Sequence, residues 1–448
     1  MRRHLVFSAF TGVGLPNHGP GLWWHPSART IEHTDLDGWL SLARKLEEAR
    51  FDLVFFGDSV GVPDVYRGRP DQALIDALGI PSGDPSVLIS ALASVTAELG
   101  LVFTSSTLQE HPFNFARKLS TLDHLSRGRV GWNIVTGYAA SAARNFGLGE
   151  LPDHDERYRR ADEYMEVVYK LWEGSWEERA SIRDAGRRVY TDPARVHAIE
   201  HEGEHFTVAG PHLPSPSPQR TPVLFQAGAS GTGRAFAARH AEGVFMIARS
   251  PAGAAAHVAD VRARAAAYGR RASDLIFLQG LWFVIGDSEV EARRREAELI
   301  DWVSVEGVLA DLSGKLGVDL GDVDLDQPVS QLRVPGVQGI VDTLRDSGAA
   351  GTGTFRDLAG RLLGARLVGT PDQIADQLET WVGAGVDGVN VMDVPGHGAF
   401  EDFARDLAPV LQRRGLMQRE YTGGTLRQKL LRADARLPPR HPAARYRR

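Results

Sequence analysis

Short apolar runs and longer amphipathic stretches alternate along most of the 448-residue chain. Eight of the runs read as buried strands: residues 4–10, 51–56, 99–104, 130–135, 222–226, 243–248, 276–285 and 388–392. Between them, apolar positions recur at helical spacing. Leu36, Trp39, Leu40, Ala43 and Leu46 form one stripe, and Tyr158, Ala161, Met165, Val168, Tyr169 and Trp172 another. Strands that alternate with helices predict parallel pairing through crossover helices. Eight such units, with no Gly-x-Gly-x-x-Gly turn after the first strand, predict an α/β fold of the closed (β/α)8 TIM-barrel kind rather than an open doubly wound sheet. Loop-rich insertions follow strands 2, 4 and 7, at residues 57–84, 176–221 and 308–365. Long segments of this sort usually build a substrate lid, and the third is where gating motion is expected. Residues 1–430 read as one barrel domain, and the Arg- and Pro-rich residues 431–448 as a solvated tail.

Composition narrows the partners. Hydrophobic residues make up 43% and charged residues 24%, the balance of a globular chain with a sizeable core. Lys and Arg number 51 against 57 Asp and Glu, a net charge of −6 with no basic stripe, so no nucleic-acid partner is expected. There is no cysteine, which excludes disulfides, thiolate catalysis and Cys-ligated metals and fits a cytoplasmic protein. The first apolar run is too short for a signal peptide, and no run reaches bilayer length, so no membrane partner is expected.

Candidate chemistry gathers at predicted strand ends, where barrels of this kind bind ligands. Asp58 ends the second strand and Thr104 the third; each reads either as a ligand contact or as a turn cap. The fourth strand follows a turn at Ser126, Arg127, Gly128 and Arg129, and delivers Asn133, Thr136, Gly137 and Tyr138 to its end. Asn133 reads equally as a cofactor contact or a satisfied core amide. Asp153 and Glu156 have capping-box spacing, which starts a helix near His154 and puts His154 and Tyr158 on one face of its N-terminus. Such an end attracts phosphate. A second anion site is suggested by residues 226–234, a Gly-rich strand-to-helix turn in which Ser230 caps the helix, while Gly228 and Gly231 admit a close backbone approach. His201, Glu202 and His205 match the zinc-protease spacing H-E-x-x-H, but Gly203 interrupts the helix that chemistry needs, and two strands around a Glu-Gly turn are expected at 196–199 and 206–208. No metal site is expected.

The wording of these segments resembles the flavin-dependent monooxygenases related to nitrilotriacetate monooxygenase component A, in the bacterial luciferase-like superfamily. The resemblance lies in Asp-His-Leu-Ser at 123–126, Gly-Trp-Asn-Ile-Val-Thr-Gly at 131–137, Ala-Arg-Asn-Phe-Gly at 143–147 and Gln-Ala-Gly-x-Ser-x-x-Gly from 226. It extends in order along nearly the whole chain. Gly137 stands where the family usually has serine, and Trp24 where it usually has arginine. The resemblance implies the same barrel and a two-component enzyme: reduced FMN from a separate NAD(P)H-dependent flavin reductase, dioxygen, and a small organic substrate that receives one oxygen atom. It further implies phosphate contacts at His154, Tyr158 and Ser230, and ring contacts at Asp58, Thr104 and Asn133. Gly137, Tyr138, Gly228 and Gly231 complete the cofactor-binding candidates, and His18, Tyr138 and Asp58 are the candidates for moving protons. Relatives pair through barrel helices, so a homo-oligomer is expected. Two alternatives stay open on sequence alone: a deazaflavin-dependent oxidoreductase with the same barrel, and a non-enzymatic flavin-binding barrel.

Overall fold

The computed structural model of the protein describes residues 4–15, 18–137, 139–326, 354, 356 and 363–448. Eight parallel strands close a barrel in chain order: β1 (Val6–Thr11), β2 (Leu53–Phe56), β3 (Gly100–Ser106), β4 (Val130–Val135), β5 (Val223–Gln226), β6 (Gly243–Met246), β7 (Ile276–Ile285) and β8 (Gly388–Met392). Each pairs with the next, and β8 returns to β1 through registers such as Ser8 to Asn390. All eight are the runs expected from the sequence. Parallel strands covered on both faces must be apolar throughout, which is why the pattern is so legible.

Alternate residues fill the barrel. Phe10, Phe55, Phe225 and Phe245 meet near its upper end, with ring centroids 4.7–6.0 Å apart. The opposite faces of the strands pack against the helix ring, including Leu36–Glu48, Pro112–Leu125 and His154–Tyr169. Among the described residues no helix is long and apolar enough to cross a membrane.

Three expectations need correction. A further short strand, Arg366–Gly369, extends the sheet by pairing with the upper half of β7, outside the closed ring. The hairpin of the second insertion pairs His201–Glu202 with Thr207–Val208, so its first strand lies later than 196–199. Finally, the C-terminal residues are docked, not solvated. Leu437, His441 and Ala443 are buried, Arg440 Nε binds Asp274 Oδ2 at 2.6 Å, and Arg447 Nε binds Glu173 Oε2 at 2.8 Å. These contacts lie at the N-terminal ends of the strands, the face that serves stability in such barrels. Asp123 of the signature turn belongs to the same face: fully buried, it accepts from Gln219 N and Nε2 at 3.0 and 2.7 Å. Most of the third insertion beyond residue 326, the expected gating segment, lies outside the described residues, as does Tyr138.

Candidate active site

The C-terminal ends of the strands carry the polar residues, as the fold requires. Two helix N-termini converge beside β4 and β5. The helix His154–Tyr169 starts at the expected residue, but Asp153 makes no side-chain cap, so the capping box does not form. The helix Gly231–His240 is capped by Ser230, whose Oγ accepts from Gly233 N at 3.0 Å. The two tips touch: His154 Nε2 lies 3.1 Å from Ser230 Oγ. His154 Nδ1 faces Asp155 Oδ1 at 3.0 Å, and Thr232 Oγ1 donates to the same carboxylate oxygen at 3.1 Å. Hydrogen bonds from His154 and Thr232 hold the exposed Asp155 carboxyl below its usual range.

Tyr158 stacks against His154 with ring centroids 5.0 Å apart, and its hydroxyl lies among Thr136, Gln226 and Ser230. Burial raises its pKa against those hydrogen bonds, so the phenol keeps its proton and can donate. The N–H groups of Gly231 and Thr232 have no acceptor among the described residues, as expected for the first turn of a helix. This is a cradle for a dianion built from hydroxyl, imidazole and amide donors.

Two glycines are needed for different reasons. Gly137 has φ +76°, a left-handed conformation that penalises serine, and its carbonyl accepts from Arg157 Nη1. Gly228 has no room for a side chain: an added Cβ would fall 2.5 Å from Gln226 Nε2 and 2.8 Å from Gly233 Cα. At Gly231 nothing lies within 4 Å of such a Cβ, so no neighbouring group of the protein requires glycine there. Gly228→Ala should therefore cost about 1–3 kcal/mol of stability through overpacking. Gly231→Ala should stay within about 0.5 kcal/mol. Paired denaturant titrations check this contrast.

The barrel mouth holds the other candidates. Asn133 Nδ2 donates to Thr104 Oγ1 at 2.9 Å, while Asn133 Oδ1 is buried with no partner among the described residues. Asp58 lines a small cavity of about 70 Å³ with Ser106, Gln109 and Gly137, walled by Leu108, Val135, Ala142 and Phe146. Burial and the facing Asp84 push the Asp58 carboxyl up to about 6, against hydrogen bonds from Ser59 and Gln109 that hold it down. His18 stands on the far side of the mouth with Nδ1 2.5 Å from Asp393 Oδ1. Asp155, Arg157 and Asp393 escaped the sequence reading. Asp393 directly follows β8, and Asp58 follows β2 with Gly57 between; that near parallel was the available signal.

The H-E-x-x-H segment is a hairpin, not a helix. His201 is buried between Lys170 and Glu163, and Glu163 accepts from the His205 and Phe206 amides at the turn. Glu156, Glu204 and His205 do bring ligand atoms within 4.8 Å of one another, but this is not the two-histidine helix face of a zinc protease.

The donor set fits a flavin mononucleotide: a cradle for a dianion at the helix tips, and an unsatisfied amide oxygen with a hydroxyl at the barrel mouth. The comparisons with known proteins agree. The chain is 42% identical over 453 residues to dimethyl-sulfide monooxygenase of Hyphomicrobium sulfonivorans, covering 100% of this chain and 94% of that one. It is 43% identical over 449 residues to long-chain alkane monooxygenase of Geobacillus thermodenitrificans, covering 100% and 99%. A crystal structure of long-chain alkane monooxygenase superposes with a TM-score of 0.91 at 42% identity over 100% of both chains. That of a riboflavin lyase with modified FMN and riboflavin superposes with a TM-score of 0.90 at 37% identity, again over 100% of both. The family model described as luciferase-like monooxygenase matches residues 15–388. The chain belongs to the luciferase-like monooxygenase family.

Proposed function

We propose that this flavin-dependent monooxygenase uses reduced FMN, supplied by a separate NAD(P)H-dependent flavin reductase, together with dioxygen to oxygenate a small organic substrate. The observation that carries the proposal is the meeting of two helix tips at His154 and Ser230, 3.1 Å apart, with the Tyr158 hydroxyl beside them. His154, Tyr158, Ser230 and the Gly231 amide would hold the phosphate, with Gly228 giving the backbone its close turn. Asp58, Thr104 and Asn133 would face the ring; a donor on the ring edge would satisfy Asn133 Oδ1. Gly137 lies between the two groups, and Tyr138 follows it. When bound, the reduced flavin supplies the activation of dioxygen, one atom of which enters the substrate while the other leaves as water.

The protein binds, orients and excludes water. The phenylalanine cluster fills the barrel below the mouth with apolar side chains that keep water from the ring's underside. The apolar walls of the cavity beside Asp58 suit a small, weakly polar substrate. Dimethyl sulfide, for which one relative is named, is of that class; the long-chain alkanes for which another is named are apolar but not small. The absence of cysteine is in keeping with a cytoplasmic setting beside the reductase.

The test offers the protein photoreduced FMN and, separately, a reduced deazaflavin. Free reduced FMN consumes oxygen and gives hydrogen peroxide by itself, so the proposal is supported when the protein, offered FMN and an oxidisable sulfide, lowers the peroxide formed per oxygen consumed and yields oxygenated product. Hydride transfer from the deazaflavin favours the deazaflavin-dependent alternative, and FMN binding with the peroxide yield of free FMN favours the binding barrel.

Asp58 gives this site a pH dependence. Its folded-state value of about 6 lies above the ordinary carboxyl value of 3.8. The native state therefore binds the proton more tightly, and stability falls as pH rises through that window, then levels off. Asp58→Asn should remove this component, so its stability gain over wild type should grow from pH 4 to pH 6.5 and then stay constant. Denaturant titrations of both proteins across that range check it; a pH-independent difference contradicts the assignment.

A further inference from the structure

We propose that His18 and Asp393 form a proton-handling pair at the barrel mouth, His18 as the donor and Asp393 as its positioning residue; this rests on the reading of the site as an oxygenase. His18 lies in the loop after β1, and Asp393 is the residue directly after β8, so the closure of the barrel brings together groups 375 positions apart. Asp393 is fully buried. Its Oδ1 lies 2.5 Å from His18 Nδ1, and its Oδ2 accepts from Thr11 Oγ1 at 2.6 Å. Burial works to raise this carboxyl, but the His18 imidazole and the Thr11 hydroxyl hold it below its usual value.

A carboxylate so placed fixes a proton on Nδ1 and supports the imidazolium when Nε2 is also protonated. Nε2 has no partner among the described residues. The ring lies on Phe10, centroids 4.8 Å apart, and Phe10 belongs to the cluster that closes the barrel interior. The His18 side chain keeps 15% exposure above the C-terminal end of β1, which leaves Nε2, the ring nitrogen not held by Asp393, to meet a ligand. The other titratable group facing the pair is His397. Its Nδ1 accepts from Ile31 N at 2.9 Å, and burial lowers its pKa, so it stays neutral and does not compete for the carboxylate.

Net oxygenation consumes one proton: reduced FMN as its anion, dioxygen, substrate and a proton give oxidised FMN, oxygenated substrate and water. The His18 imidazolium gives its Nε2 proton to the oxygen atom that leaves as water. The N–H bond breaks, its electron pair stays on Nε2, an O–H bond forms, and the neutral ring is reprotonated from solvent. Asp393 remains a carboxylate throughout.

A purely structural tie between the two loops is the rival, and His18→Gln with Asp393→Asn separates them. Asparagine keeps an acceptor for Nδ1–H and a group that can meet the Thr11 hydroxyl, so the tie survives while the charge is lost. We expect kcat to fall about 100-fold in each variant. FMN affinity should be unchanged, a larger share of the oxygen consumed should appear as hydrogen peroxide, and the double variant should be no slower than the singles. Independently of turnover, proton NMR of the apoprotein should show a far-downfield Nδ1–H resonance that both variants lack. An unchanged kcat in Asp393→Asn, multiplicative losses in the double variant, or no such resonance in the wild type overturns the pair. If the wild type neither binds FMN nor takes up oxygen, the oxygenase reading is what fails, and the resonance still decides whether the pair exists.

Discussion

Arg427→Ala should lower the unfolding free energy by about 3–5 kcal/mol, because it leaves a buried carboxylate without its partner. Arg427 is fully buried, and Glu242 opposite it is 2% exposed. Their bond is bidentate: Nε to Oε1 at 2.6 Å and Nη2 to Oε2 at 2.8 Å. The remaining guanidinium donors reach the carbonyls of Thr221, Pro222 and Ala435 at 2.8, 3.1 and 2.7 Å. One side chain thus ties the start of β5, the start of β6 and the C-terminal segment together. Lysine is a point charge with a different reach and cannot restore this fork, so Arg427→Lys should recover only a minor part of the loss. Replacing both partners together, Arg427→Met with Glu242→Gln, should cost less than the sum of the single changes, since no uncompensated charge remains. Urea titration of the wild type, Arg427→Met, Glu242→Gln and the double variant measures the coupling. Additive losses would mean that the pair contributes nothing beyond packing.

This network also shows where composition misleads. Residues 431–448 hold many arginines and prolines and few apolar groups, the usual signature of a solvated end. Yet two of its apolar groups, Leu437 and Ala443, become buried, and the arginines find Glu173, Glu178 and Asp274. Those acids are scattered far back in the chain, and nothing local in the tail announces them. The barrel itself was legible for the opposite reason. Each of its strands is an apolar run set between helical stripes, so burial on both faces writes itself into consecutive residues. The added strand Arg366–Gly369 opens on arginine and closes on glycine, so no continuous apolar run marks it.

The site divides the same way. Ser230 at a helix start and His154 four residues before Tyr158 were visible because capping and helical spacing are local rules. Asp155, beside His154, is locally just another acid of a first turn; its link to Thr232 exists only once the two helices meet. The reason for Gly137 was likewise hidden, since a sequence does not print its φ angle. Asp393 needed the closure of β8 on β1 to acquire His18 and Thr11 as neighbours.

Loss of the Ser230 hydroxyl should weaken FMN binding by about 10- to 150-fold, the equivalent of one hydrogen bond to a charged group at roughly 1.5–3 kcal/mol. The same is expected of Tyr158→Phe, whose hydroxyl lies within the same cradle. Ser230 has two roles, however, since its Oγ also caps the helix that starts at Gly231. Ser230→Ala should therefore lose about 1 kcal/mol of stability as well as affinity, whereas Ser230→Gly, a better residue at a helix cap, should lose a few tenths. If both variants lose FMN to the same extent while differing in stability, the affinity belongs to the hydroxyl and not to a frayed helix. Riboflavin supplies the decisive control, because it carries the ring without the phosphate. Against riboflavin, Ser230→Gly and Tyr158→Phe should bind as the wild type does, by isothermal titration or quenching of flavin fluorescence. An equal loss for riboflavin and FMN would place these two side chains beside the ring or the ribityl chain, and the helix tips would have to be given another ligand.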